Sequence, residues 1–261
     1  MILQTRMQQT LMERMNDLSQ NKEEIIQHLR SDSEYYGDYG KKFLSNSDIY
    51  TLLNNPEQWG QKKESTVPMV IGGYFHTLIC EPDKVDSYKI VDATSRNTKL
   101  YKELSEGEIC LLQKEADNIE LMREKLLSNE IIKGLIQEGN IEYETPSICK
   151  LHGEWWKGKA DIINHDEKLI IDLKTTGDIT KFKYSARKFN YDSQAYIYQE
   201  LFGYEMIFVT IDKTTLQLGI YDCSNNFLER GKEKVIEAIT QVRLIRDQNF
   251  NMDQYTRQET L

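Results

Sequence analysis

The 261-residue sequence has few of the residues that mark several protein classes. Its four cysteines, Cys80, Cys110, Cys149 and Cys223, are widely separated, and no two form a C-x-x-C pair. That spacing excludes a zinc knuckle or a local iron–sulfur motif and leaves reduced, mostly buried thiols. Only 4 prolines and 14 glycines are present, too few for long disordered linkers. No apolar run approaches the length that a membrane-spanning helix needs. The opening stretch, MILQTRMQQTLMERMNDL, lacks the apolar segment and small-residue cleavage site of a signal peptide, so a cytoplasmic protein is expected. Excess positive charge is lacking as well. The formal net charge is −9, which weighs against a protein that coats nucleic acid by bulk charge, though not against an enzyme with a local basic track.

What is present is enough for one large domain, with 39% hydrophobic residues and 15 tyrosines. Residues 1–30 read as helical, from Ile2, Met7, Leu11 and Met15 to Ile25, Ile26 and Leu29. Residues 31–40 read as a loop. LSNSDIYTLLNN opens on cap-type residues and predicts a short helix ending before Pro56. A second helix is expected between Pro68 and Pro82, a strand over 86–92, and a long acidic helical region over 111–139. Strands follow at 141–150, 154–163 and 168–174, helices at 179–189 and 191–203, two strands in MIFVTID and LQLGIYDC, and a final amphipathic helix over 225–247. The order implies an α/β or α+β domain around a mixed sheet, with a helical N-terminal lobe. Residues 1–40 form a separate helical segment and 41–261 the main domain.

The stretch GKADIINHDEKLIIDLKTTGD, residues 158–178, raises the chemical question. It reads as a hairpin turning at Asp166-Glu167. Asp172 and Lys174 share one strand face, while Ile171 and Leu173 point to the buried face. The register opposes Asp161 to Asp172, with Cβ atoms roughly 4.5–5.5 Å apart. Two carboxylates there repel unless a divalent cation lies between them, and a hard cation such as Mg²⁺ prefers carboxylate oxygens. Taken alone, D-x-K is a common salt-bridged surface triplet; the carboxylate before it, with ten residues and a turn between, shifts the balance.

Three further pieces join it. GGYFHTLICEP places His76 four residues after Gly72 on an apolar helix, where Gly72 and Gly73 allow close backbone approach. Such a histidine is more often a core residue, but a metal site would need another donor. Glu81 is better read as ending that helix. YDSQAYIYQELFG puts Gln194 and Tyr198 on one helical face, with Tyr191 one turn before. KFKYSARK gives Lys181, Lys183, Arg187 and Lys188, interleaved with Phe182 and Tyr184, as a track for phosphates.

Together these residues resemble the PD-(D/E)xK nuclease superfamily and, within its RecB-like branch, the RecE-type phage exonucleases. The matching pieces come in order: G-x-x-x-H at Gly72–His76, the first acid at Asp161, D-x-K at Asp172–Lys174, and Q-x-x-x-Y at Gln194–Tyr198. The resemblance covers roughly residues 43–212. Ala160 stands where the superfamily's proline would be, the second acid is Asp172 rather than Glu, and the first 40 residues have no counterpart.

The resemblance implies a restriction-endonuclease-like core with a central mixed sheet flanked by helices. It implies that His76, Asp161, Asp172 and the Leu173 carbonyl hold one or two Mg²⁺ or Mn²⁺ ions. Lys174 would orient the attacking water, and Gln194 and Tyr198 would position the scissile strand or Lys174. Tyr191, Gln194, Tyr198 and the four cations of KFKYSARK would contact DNA. The implied activity is Mg²⁺-dependent digestion of linear duplex DNA from 5′ ends. It leaves 3′ overhangs for recombination by a single-strand annealing protein, and a ring-shaped homo-oligomer (a trimer or tetramer) works in the bacterial host cytoplasm. The competing readings are a single-strand RecB-like or CRISPR-adaptation nuclease, and a DNA-end-binding protein without catalysis.

Overall fold

A computed structural model describes residues 22–61 and 64–247. The helix expected over residues 1–21 lies outside this range. From 22 onward the expectation holds: α1, Lys22–Leu29, buries Ile25 and Leu29 in a cluster with Tyr35, Phe43 and Ile148.

The expected loop 31–40 is more ordered than its composition suggests. It contains a one-turn helix, α2, Asp32–Tyr35, followed by a 3₁₀ turn at Gly40–Lys42. Tertiary contacts impose this, because Tyr35 is buried and Asp32 is caught by two lysines from other parts of the chain. Helix α3, Asn46–Asn54, starts and stops as its sequence predicts. The Asp48 carboxylate takes the Ser45 N–H at 2.8 Å, and the chain leaves the helix at Asn55, before Pro56. Helix α4, Val67–Cys80, carries Pro68 in its first turn and ends at Glu81, before Pro82.

The next region departs from the sequence reading. Residues 82–87 are 3₁₀, and the expected strand shrinks to β1, Ile90–Val91. An unforeseen helix α5, Lys99–Ser105, precedes β2, Leu111–Leu112, which pairs parallel with β1. The acidic helical region divides into α6, Gln113–Leu127, and α7, Glu130–Gln137. The break follows from Asn129, whose side chain accepts the Ile132 N–H at 3.0 Å and starts a new helix.

The central sheet has the order β3-β4-β5-β6-β7. Its strands are β3, Ile141–Leu151; β4, Glu154–Asn164; β5, Leu169–Thr176; β6, Glu205–Asp212; and β7, Leu218–Asp222. All neighbours are antiparallel except β5 and β6. That parallel pair needs a crossover, supplied by α8, Phe182–Lys188, and α9, Tyr191–Phe202. Helix α10, Asn225–Arg246, is the last element among the described residues. The sheet is therefore mixed and flanked by helices on both faces, as expected. One face packs α3, α8, α9 and α10 around Trp156, Ile170 and Phe208, and the other packs α4, α6 and α7 around Ile171, Leu173 and Val209. The four thiols are dispersed: Cys80 and Cys110 lie in different clusters, and Cys149 and Cys223 pack at the first core.

Helices α9 and α10 cross at Gly231, where an added Cβ would stand 2.1 Å from the Asp192 carbonyl oxygen. Backbone, not a flexible side chain, blocks that position. Gly231→Ala is therefore expected to destabilise the fold by roughly 1–3 kcal/mol, read as a melting midpoint several degrees lower. An unchanged midpoint would show that the two helices part without strain.

Candidate metal centre

Two hairpins build the site. The β3–β4 turn has two residues, His152 and Gly153, both with positive φ (49° and 94°), as a type I′ turn requires. Its register sets Glu144 across from Asp161, but the pairs stop at Tyr143–Ile162 and resume at Thr145–Ala160. Glu144 itself has φ 46°, an uncommon conformation for a side-chain-bearing residue. Side chains two apart on a strand share a face, yet Ala160 lies in one core and Ile162 in the other. The strand thus turns over at Asp161.

The second hairpin has the expected register, with Ile162 opposite Ile171, Ile163 opposite Ile170 and Asn164 opposite Leu169. The ladder ends there, so Asp161 and Asp172 are not a laddered pair as the sequence reading supposed. The strands separate, and the Asp161 carboxylate takes the Leu173 N–H at 2.9 Å. A side chain thereby occupies a place that a backbone carbonyl fills in a continuing sheet.

At this opening His76 Nδ1 lies 3.1 Å from Asp161 Oδ2. His76, Glu144 and Asp161 each present a ligand atom within 4.8 Å of the others. Helix α4 brings the histidine in. Gly73 allows its close packing, with the Tyr88 hydroxyl 2.9 Å from where a Cβ would be, whereas Gly72 faces open space. Glu81 ends the helix and pairs with Lys84 at 2.5 Å.

On β5, Asp172 is 1% exposed. Lys174 Nζ stands 2.5 Å from Asp172 Oδ2, and Gln194 Nε2 donates to Asp172 Oδ1 at 2.5 Å. Oδ2 thus has the Lys174 ammonium as its counter-charge. Lys174 also sits 4.8 Å from the centre of the Tyr191 ring. The D-x-K triplet thus has a buried Asp172 and a half-buried Lys174 and is coupled to α9; it is not a solvated surface pair. Tyr198 is buried and reaches the main chain instead: its hydroxyl donates to the Lys159 carbonyl at 3.1 Å, two residues before Asp161, and not to Lys174. Lys181, Lys183, Arg187 and Lys188 are exposed along the α8 segment, with Lys181 paired to Asp178 at 2.9 Å.

Charge is unevenly shared. Burial pushes Asp172 up to about 6, the Asp161 charge adding to it against Lys174. Burial also acts on Asp161, but His76, Lys174 and the Leu173 N–H outweigh it and hold that carboxyl below its ordinary value. His76 and Lys174 are held above their ordinary values, because the Asp161 and Asp172 charges outweigh burial. Burial, then the charge of Asp161, pushes Glu144 up to about 8.

Two groups escaped the sequence reading. Glu144 was legible in principle, because a two-residue His-Gly turn sets the register that opposes it to Asp161. Lys159, whose ammonium lies 2.5 Å from Asp32 Oδ1 and 3.9 Å from Glu144 Oε2, had no signal, since its partners come from distant segments.

Oxygen-rich donors with one imidazole suit a hard divalent ion such as Mg²⁺ or Mn²⁺. The crowded Glu144–Asp161 pair beside His76 is what such an ion would satisfy. A mixed sheet holding two acids and a lysine at its opened strands defines a nuclease fold of the PD-(D/E)xK class. The chain belongs to the family described as a PDDEXK-like domain of unknown function (DUF3799), whose model matches residues 40–254. No curated protein matches the sequence. Among solved structures, a candidate exonuclease from Eubacterium rectale is 15% identical, with a TM-score of 0.63 over 88% of this chain and 95% of that one. A phage-related exonuclease from Haemophilus somnus 129PT is 16% identical, with 80% of this chain and 96% of that one covered and a TM-score of 0.37. The first of these shares the fold.

The raised Glu144 has a consequence for stability. Between its ordinary value of 4.5 and about 8 the folded protein binds more protons there than the unfolded chain, so stability falls as pH rises through that window. In EDTA the melting midpoint is expected to drop from pH 5 to pH 8, with a shallower drop for Glu144→Gln. Equal slopes would mean that Glu144 is not held protonated.

Proposed function

We propose that this protein is a Mg²⁺- or Mn²⁺-dependent exodeoxyribonuclease that digests linear duplex DNA from 5′ ends and leaves 3′ single-stranded overhangs. The observation that carries the reading is the convergence of His76, Glu144 and Asp161 beside the Asp172–Lys174 ion pair. Polarity and overhangs rest on the resemblance to RecE-type exonucleases.

His76, Glu144, Asp161 and Asp172, with the Leu173 carbonyl, would hold the ions, two of them on this reading. When bound, they supply an activated water and a charge clamp on the attacking and leaving oxygens of the phosphodiester. The protein's own groups do the rest. Lys174 orients the water and offsets the negative charge that grows on the phosphate. Gln194 fixes the Asp172 carboxylate, and the Tyr191 face steadies the Lys174 ammonium. Tyr198 anchors the β4 main chain just before Asp161 and so fixes that carboxylate's position. Lys181, Lys183, Arg187 and Lys188 draw in the phosphate backbone through a salt-sensitive attraction.

On the same reading the chain works as a homo-oligomeric ring, trimer or tetramer, which reconciles a net charge of −9 with DNA binding by turning basic groups inward. Residues 1–40 supply subunit contacts, and a single-strand annealing protein takes the overhang in the cytoplasm of the host cell. No helix among the described residues is long and apolar enough to cross a membrane.

The test is digestion of linear duplex DNA labelled at one 5′ end, with Mg²⁺, with EDTA, and with Asp172→Asn. Metal-dependent release of labelled mononucleotides is expected, with closed circles untouched and a loss on the order of 100-fold or more in the mutant. Cutting of single strands or circles with the duplex intact would favour the single-strand nuclease reading. Binding without cutting in Mg²⁺ would favour an end-binding protein.

A further inference from the structure

Lys157 and Lys159 are two residues apart on β4 and so share one of its faces. Both are buried, at 6% and 8% exposed. A buried charge without a partner is costly, so each ammonium must be matched. The segment around α2 supplies the partners. Lys157 donates to the Tyr35 carbonyl, and its ammonium lies 4.1 Å from the centre of the Tyr35 ring. The Lys159 ammonium lies 4.8 Å from that ring and 5.4 Å from the Tyr36 ring, so two aromatic faces limit where it can go.

Two carboxylates share the Lys159 ammonium. Asp32 Oδ1 holds it at 2.5 Å, and Glu144 Oε2 stands at 3.9 Å. Asp32 is itself held, because Lys84 Nζ lies 3.1 Å from its Oδ2 and 2.5 Å from Glu81 Oε1. Charge therefore alternates along Glu81, Lys84, Asp32, Lys159 and Glu144. Every link is short except the last, and the last ends on the carboxylate that gathers with His76 and Asp161. An ammonium and a divalent ion compete for the same carboxylate oxygens. Without Asp32, the buried Lys159 would have Glu144 as its remaining ionic partner and would close on it.

We propose that Asp32 is a positioning residue for the metal centre: it holds the Lys159 ammonium off Glu144 and so leaves that carboxylate open to the ion. This rests on the reading of His76, Glu144 and Asp161 as metal ligands given above. The segment before the main domain thereby sets the ion affinity of a centre to which it contributes no ligand.

The test is Mn²⁺ binding to the full chain without DNA, followed by the paramagnetic resonance signal of free Mn²⁺. Wild type is expected to bind, and Asp32→Asn to need about tenfold more Mn²⁺ for half-saturation, the usual cost of losing a group that orients a metal ligand. Removing a negative charge would also weaken binding through space, and two variants separate the causes. Lys159→Gln removes the competing ammonium, so in that background Asp32→Asn is expected to change nothing, whereas attraction through space predicts the same loss in both backgrounds. Glu81→Gln removes a negative charge from the other end of the chain of ion pairs and leaves Lys159 on Asp32. Its half-saturation is expected to stay within about twofold of wild type, the charge effect being screened, and this comparison holds whether or not Lys159→Gln folds. Binding by Asp32→Asn equal to wild type, the same loss in the Lys159→Gln background, or an equal loss in Glu81→Gln overturns the proposal and leaves the metal reading intact. If wild type binds no Mn²⁺, the metal reading falls and this proposal falls with it.

Discussion

The structure turns on like charges held across a sheet that cannot close around them. Glu144, Asp161 and Asp172 come from three successive strands and gather where the ladders on both sides of Asp161 are interrupted. A continuous sheet would bury these carboxylates against one another at a spacing that destabilises pairing. The fold answers in three ways. It parts β4 from β5, it gives Asp161 the Leu173 N–H and His76, and it sets Lys174 and Gln194 on Asp172. The upward push on the Glu144 carboxyl, from burial and the Asp161 charge, is the remaining mark of the conflict.

Much else serves this arrangement. The parallel pairing of β5 with β6 forces the α8–α9 crossover, and that crossover delivers Gln194, Tyr191 and Tyr198 to the site from one helix. Helix α4 lies on the opposite face and delivers His76. The centre is therefore held from both layers of the sandwich, by side chains whose own helices are buried in separate cores. Side chains so supported are held in place by packing on both sides of the sheet.

Element types along the chain were largely legible because periodicity and punctuation agreed. The α3 cap at Ser45 and Asp48, the prolines around α4, and the alternation of β5 all carried their meaning locally. The errors fell where neighbours override composition: residues 31–40, made helical by the burial of Tyr35, and the acidic stretch, divided by one asparagine cap. At the site, His76, Asp161, Asp172, Lys174 and Gln194 were legible as a spaced pattern and come together in space. Tyr198 was legible as a member, but its contact with the Lys159 carbonyl was not.

By itself the sequence determined the order of elements, the hairpin register and the identity of most polar groups at the centre, since each depends on residues within one or two turns of one another. Only the tertiary structure decided that the ladder opens beyond Ile162–Ile171, that Glu144 joins the carboxylates in a strained backbone, and that Lys159 is tied to Asp32 from 127 positions earlier. These depend on how two helical layers press a sheet from opposite sides, and no local spacing encodes the balance between packing and repulsion that results.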